Sequence, residues 1–312
     1  MPDRTVKVVF MGSPEFALPA LDRLVSTPRF LLEQVVTQPD RPKGRGKKLT
    51  PTAVKAYAVD RGIPVVTMTK QDYPAVVENL RRIEPDFIVV ASFGIILKRD
   101  LLDLPVSGCV NLHASLLPRY RGMSPIQAAI LAGDESTGCT TMLMDEGIDT
   151  GGILLADAIP IESRDTAGTL ERKLAALGAP LIIDTLEGLL DGAVRPSPQE
   201  EADASYTRRI RKEHGLIDWA RSADEIERQV RAMLPWPTAY TAYSGKRLIV
   251  LEAGVIPDAL GQAGVVLSAS PLVVATGRGA LEIRRIKVEG KNEMTAKSFL
   301  AGHPVESGGR FG

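Results

Sequence analysis

The chain has 312 residues, of which 44% are hydrophobic and 24% charged, with 38 basic side chains against 38 acidic ones. That length is enough for two domains with full cores, and no stretch approaches the roughly 18 consecutive apolar residues of a membrane span. Two cysteines and three scattered histidines exclude a disulfide framework and offer no metal-ligand spacing, so no bound metal is expected.

The first residues, MPDRTVKVVF, run almost at once into a strand pattern, without a basic and apolar leader, and the expected location is the cytoplasm. VKVVFM (6–11) is the first predicted strand. GSPEF follows it, and then a helical pattern with Phe16, Leu21, Leu24 and Val25. LLEQVVT (31–37) is the second strand, followed by a basic loop, RPKGRGKK (41–48). Thr50 and Pro51 then offer a helix N-cap and a first-turn proline, with Gly62 closing that helix. IPVV, FIVVA (87–91), CVNLH (109–113), TTMLM (140–144) and ILLADAI (153–159) supply further strands. A long amphipathic helix carries Leu170, Leu174, Leu177, Leu181 and Leu189. Short continuous apolar strands separated by helices predict an α/β, doubly wound, mostly parallel sheet over residues 1–190.

VRPSPQEEADAS (194–205) is proline-rich, acidic and aperiodic, so residues 191–207 are expected to form an exposed linker. Beyond it, SADE (222–225) is a capping box that opens a helix with Ile226, Val230 and Met233 on one face. TAY, RLIVLEA, GVVL, LVVAT and ALEIRRIKV then predict five short strands. Their spacing is that of a small barrel of the oligonucleotide-binding type over residues 208–312.

The balanced charge conceals an asymmetry. Residues 1–204 hold 22 Lys/Arg against 27 Asp/Glu, and residues 205–312 hold 16 against 11. Five of the basic residues of the acidic first part lie in the loop 41–48. A solvated surface is one reading; the other is that a polyanion meets the second domain and this loop.

GSPEF lacks both the G-x-G-x-x-G glycines and a Walker lysine, so it is read as a turn at the carboxyl end of the sheet, where α/β ligands sit. Asn111 and His113 lie two apart on a strand and share a face, while Leu112 points the other way. At a strand's carboxyl end, a carboxamide N–H and an imidazole N–H can donate to one developing oxyanion. Read alone, a histidine on an apolar strand is more often a satisfied core residue. MDEGIDTGGIL (144–154) supplies the partner that shifts this balance. Asp149, flanked by Gly147, Thr150 and Gly151, is a loop carboxylate able to approach closely, orient the ring and balance its charge.

The run NLHASLLPRYRGMSPIQAAI with GDESTGCTTMLMDEGIDTGGIL resembles the formyltransferase family that uses 10-formyltetrahydrofolate. The resemblance runs in order along the whole chain. MGSPEFA, TQPDRPKGRGKKL, RKEHGLIDW, VRAMLPWPTAY and FLAGHPVESGGRFG are similar to members that act on initiator tRNA. It implies transfer of a formyl group from 10-formyltetrahydrofolate to the methionine amino group of initiator methionyl-tRNA, with neither DNA nor a membrane as partner. The family's catalytic Asn, His and Asp fall on Asn111, His113 and Asp149, without departure. Its folate element falls on Ser115, Leu116, Leu117 and Pro118, and Ser92, Phe93, Gly94 and Ile95 are expected beside it. The tRNA would be met by Arg41, Lys43, Arg45, Lys47 and Lys48 in the basic loop and by Arg208, Arg209, Arg211 and Lys212 in the second domain. A formyltransferase for an amino sugar nucleotide or a small ribonucleotide amine shares the triad but has no use for so many positive charges. A non-catalytic RNA-binding protein would have no use for the triad.

Overall fold

A computed structural model describes residues 5–43, 46 and 48–312, with Lys43 described in its backbone only. The chain divides into two compact units. The first comprises Met1–Pro125, Ser136–Pro160 and Glu171–Thr207; the second comprises Ile126–Glu135, Ile161–Leu170 and Arg208–Gly312. This division is more interleaved than the contiguous 1–190, 191–207 and 208–312 read from sequence.

In the first unit the strands are β1 (Val6–Gly12), β2 (Phe30–Thr37), β3 (Val65–Thr67), β4 (Phe87–Ala91), β5 (Cys109–His113), β6 (Ser136–Leu143) and β7 (Ile153–Pro160). They form one sheet in the order β7-β6-β5-β4-β1-β2-β3. The pairs from β5 to β3 are all parallel, and β6 runs antiparallel to both its neighbours. Helices α1 (Leu18–Val25), α2 (Ala53–Asp60) and α3 (Tyr73–Ile83) make the crossovers among the parallel strands. β4 and β5 are buried at every position, as expected for continuous apolar runs covered on both faces.

Two local expectations are corrected. Helix α2 is capped by Thr52, whose hydroxyl accepts from Lys55 N at 3.0 Å, and not by Thr50. Thr50 is instead paired with Arg41 in the hairpin Arg41–Lys43/Lys48–Thr50, so its extended backbone is committed to a ladder. β6 begins at Ser136, four residues before the apolar run, because Ser136–Cys139 pairs along β7. Turn-rich composition gives way there to a partner strand.

The later helices are α4 (Arg99–Leu102), α5 (Pro125–Ala132) and α6 (Ala167–Leu190). α6 covers β6: the buried hydroxyls of Thr141 and Thr185 pair at 2.7 Å, and the Cys139 thiol donates to Leu174 O. Leu112 of β5 lies against Gly178 on this same side, which leaves Asn111 and His113 on the opposite face.

In the second unit, helix α7 (Ala223–Ala232) packs on an antiparallel sheet. Its strands are β8 (Ala239–Tyr243), β9 (Lys246–Ile256), β10 (Val266–Ala269), β11 (Leu272–Ala275) and β12 (Ala280–Val288), in the order β8-β9-β12-β11-β10, with β13 (Glu293–Thr295) pairing β12. Among the described residues β10 and β8 do not pair directly. The C-terminal stretch lies between them: Val266 exchanges hydrogen bonds with Gly308 and Gly309, and Gly312 N donates to Ala242 O. Trp219, Phe299 and Phe311 anchor the core, with the Trp219 indole N–H on Thr241 Oγ1 at 3.0 Å. Helix α8 (Ala296–Gly302) supplies Phe299.

The expected capping box is present. Ser222 Oγ accepts from Glu225 N, and Glu225 Oε2 accepts from Ser222 N at 3.0 Å. The Glu225 carboxyl is held down at about 2, first by the Ser222 backbone N–H, then by the Ser222 hydroxyl and Arg221. A carboxyl depressed from its ordinary 4.5 adds stability that is complete above that value and is lost as the pH falls towards 2. Ser222→Ala is therefore expected to cost about 1 kcal/mol at neutral pH. Urea melts of mutant and parent should differ less as the pH is taken below 4.5; a difference that stays constant with pH would contradict the account.

Candidate active site

The strand order reverses between β1 and β4, and the carboxyl ends of strands at such a switch point are where open α/β sheets take ligands. The turn after β1 and residues 92–95 after β4 lie there, and His113 ends the next strand, β5. Polar contacts tie this edge together. Ser13 Oγ accepts from Gln38 N at 3.1 Å, and the Gln38 amide donates to Phe93 O at 2.7 Å. Ser92 and Gly94 both have positive φ, 51° and 77°. Among the described residues, the N–H groups of Phe93, Gly94 and Ile95 meet no acceptor. They are backbone donors of the kind that orient a flat polar ligand. The Phe93 ring itself is in the core at 2% exposure and Ile95 packs beside it, so this segment offers main chain more than a side-chain slot.

Asn111 is buried, and its carboxamide has no hydrogen-bond partner among the described residues. Its polar atoms are not among those fully shut off from solvent, so the carboxamide is available to a ligand. His113 is held on both sides. Its Nε2 lies 3.0 Å from the carbonyl of Tyr120. A carbonyl only accepts, so Nε2 carries a hydrogen. Its Nδ1 faces Asp149 Oδ2 at 3.6 Å, beyond a hydrogen bond but within ion-pair range.

Asp149 adopts a left-handed backbone, φ 54°, a conformation that costs a non-glycine residue roughly 1 kcal/mol or more unless its surroundings hold it. They do. Oδ2 accepts from Gly122 N at 2.8 Å, and the Asp149 carbonyl accepts from Gln199 Nε2 at 2.8 Å. Gly122 has φ 103°, and a Cβ on it would stand 2.5 Å from Thr207 O. A Cβ on Gly151 would overlap Leu143 O. Both glycines are thus required by close backbone approach. Asp145 shapes the loop from within, accepting from Gly147 N and Thr150 Oγ1.

Ser115 and Leu117 are buried, with Ser115 Oγ donating to Arg119 O at 2.6 Å and Leu117 N donating to Thr140 Oγ1. Leu116 and Pro118 are half-buried. In the basic loop, Arg41 is exposed and donates to Gln38 Oε1 at 2.6 Å, which joins the hairpin to this edge. Lys48 is exposed, whereas Arg45 and Lys47 lie outside the described residues. In the second unit Arg208, Arg209, Arg211 and Lys212 are all exposed.

Residues 191–207, expected as a linker, are exposed along most of their length but tied to the first unit. Ser197 bridges to Ile153, Ser205 Oγ accepts from Tyr120 N at 2.8 Å, and Tyr206–Thr207 pairs with Arg121–Gly122. Sequence reading passed over Arg121, which is 1% exposed although it sits in an RYRG turn. Its guanidinium donates to Gln199 Oε1, Glu201 Oε2 and Tyr206 OH at 3.0, 2.8 and 2.6 Å. Nothing local marks it, because its partners are about 80 residues away.

Among the described residues, no group of His, Cys, Asp and Glu is arranged to hold a metal, and no helix is long and apolar enough to cross a membrane. Burial pushes both thiols, Cys109 and Cys139, up to about 12. Neither is a thiolate nucleophile near neutral pH. Both are expected to resist a chromogenic disulfide reagent at pH 8 in the native protein and to react in denaturant; rapid labelling of the native form would contradict their burial.

The sequence model of the formyl transferase family matches residues 6–186, and that of the formyl transferase C-terminal domain matches residues 209–304. The methionyl-tRNA formyltransferase of Pelobacter propionicus is 46% identical over 98% of this chain and 96% of its own length. That of Geobacter sulfurreducens is 43% identical over 98% of this chain and 97% of its own. Among solved structures, the N-formyltransferase of Helicobacter canadensis, in complex with folinic acid and dTDP-3-aminofucose, has a TM-score of 0.68 at 19% identity. The match covers 93% of this chain and 100% of that one, a likeness of fold. The two matched segments together span most of the chain, and the chain belongs to the formyl transferase family.

Proposed function

We propose that this chain transfers the formyl group of 10-formyltetrahydrofolate to the α-amino group of methionine on initiator methionyl-tRNA. The observation that carries the reading is the pairing of His113 with Asp149 beside the free carboxamide of Asn111, in a chain that parallels the tRNA-directed relatives from end to end.

The amine lone pair attacks the formyl carbon, and the carbonyl oxygen becomes an oxyanion. Asn111 donates to it through its carboxamide N–H. Nε2 of His113 is already used by Tyr120 O, so the donation available from this ring comes from Nδ1 in its cationic form, with Asp149 as counter-charge. Asp149 Oδ1, without a protein partner among the described residues, accepts through a water the proton that the attacking ammonium sheds. Collapse of the intermediate breaks the bond to N10, and N10 takes the proton that Asp149 accepted. No covalent enzyme intermediate is needed. The pterin would sit against residues 92–95 and 115–118, its polar edge on backbone groups.

The first unit is read as the catalytic one. In the second, Arg208, Arg209, Arg211 and Lys212 would hold the tRNA by its phosphates, and Arg41, Lys43, Arg45, Lys47 and Lys48 would guide its acceptor end. Steering is needed because an amine that is not brought to the formyl carbon does not react.

His113→Ala is expected to lower kcat with charged initiator tRNA by about 10²- to 10³-fold, with folate affinity little changed. Formylation of an amino sugar nucleotide with none of charged tRNA, or near-parental turnover in the folded variant, would sink the reading. For the second unit, replacing Arg208 and Arg209 by Ala should make log K against log salt shallower by roughly 1.5, at about 0.7–0.9 for each phosphate no longer neutralised. An unchanged slope in tRNA titrations would remove these two residues from the interface.

A further inference from the structure

The segment 197–207 reaches both members of the His113–Asp149 pair, Asp149 directly and His113 through Tyr120. Gln199 Nε2 donates to the carbonyls of Asp149 and Gly151 at 2.8 and 2.7 Å, clamping the backbone of the loop on both sides of Thr150. Its Oε1 accepts from Arg121 Nε at 3.0 Å. Arginine has no acceptor, so it fixes which end of the amide faces it and turns the NH₂ towards the loop. Further along, Ser205 Oγ accepts from Tyr120 N, and the Tyr120 carbonyl is the partner of His113 Nε2. Thr207 pairs with Gly122, whose N–H holds Asp149 Oδ2.

The geometry points to Gln199 as a positioning residue for the transfer reaction, acting through Asp149, with Arg121 orienting it. The stretch that looks like a tether is a strap that sets the carboxylate. Asp149 has a left-handed backbone that only its surroundings maintain. Gln199 supplies the donors to the loop's carbonyls, and Gly122 N meets the carboxylate. Without Gln199 the loop carbonyls lose their donor and the carboxylate is free to drift from Nδ1. This inference rests on the reading of Asp149 as catalytic.

The test is a mutant cycle in the full-length protein, with 10-formyltetrahydrofolate and charged initiator tRNA. Gln199→Ala should lower kcat by about 10- to 100-fold, as for a displacement of about 1 Å in a reacting group. KM for both substrates and the melting temperature should stay close to parental, since Ser197, Ser205 and Tyr206 still pin the segment. Gln199→Glu, the same size but without the two donors, should behave like Gln199→Ala. In an Asp149→Asn background, Gln199→Ala should add little further loss, because residues that act as a unit are not additive. Parental kcat in either Gln199 variant, an undiminished loss in the Asp149→Asn background, or a loss confined to KM for tRNA would overturn the inference. Parental kcat in Asp149→Asn alone would show that the reading of Asp149 had failed, and the inference would fall with it.

Discussion

A guanidinium out of contact with water is the constraint on which the centre of the first unit depends. Removing a charge from solvent costs several kcal/mol unless it is paired and hydrogen-bonded, and Arg121 donates from Nε to Gln199 and from Nη1 to Glu201 and Tyr206. All three belong to one later segment, so burying Arg121 means ordering that segment. Once it is ordered, Tyr206–Thr207 lies beside Arg121–Gly122, and Gly122 must be glycine because Thr207 O occupies the place of its side chain. The freed N–H of Gly122 then meets Asp149. Salt-bridge energy is a poor description of this arrangement. What the buried charge achieves is a unique register between two distant stretches of chain.

The sheet delivers the other half. Strand alternation puts Asn111 and His113 on the face away from α6, while Leu112 is taken up by the helix side. The strand order reverses between β1 and β4, the place where open α/β sheets take ligands, and among the described residues the N–H groups of Phe93, Gly94 and Ile95 there meet no acceptor. Rigid strands thus fix the donors, whereas the carboxylate comes from a glycine-rich loop that needs bracing from outside. This division, donors on strands and a braced carboxylate on a loop, accounts for a buried arginine so near the site.

The second unit is built on different principles. Its antiparallel strands present open edges at β8 and β10, and the C-terminal stretch hydrogen-bonds to both. Unpaired edges invite association with other chains, so this stretch is a structural member of the unit. Phe311, at 1% exposure, anchors it against Trp219 and Tyr243. The unit's excess of basic residues stays on its surface, where Arg208, Arg209, Arg211 and Lys212 are exposed.

Much of this is local and therefore legible in the sequence. The apolar runs of β1, β4 and β5, the SADE box of α7 and five of the six strands of the second unit follow from periodicity, capping and turn residues, each of which acts over a few positions. The shared face of Asn111 and His113 is likewise a matter of alternation along one strand. Tertiary structure decided what depends on distant partners. Thr52 caps α2 because Thr50 is engaged in a hairpin, and β6 gains its first residues from β7. Residues 191–207 have the composition of a tether, and composition carries no information about a partner 80 residues away. Arg121 and Gln199 acquire their meaning only when the chain returns to them, since a buried donor and its acceptor are chosen by proximity in space and not by spacing in sequence.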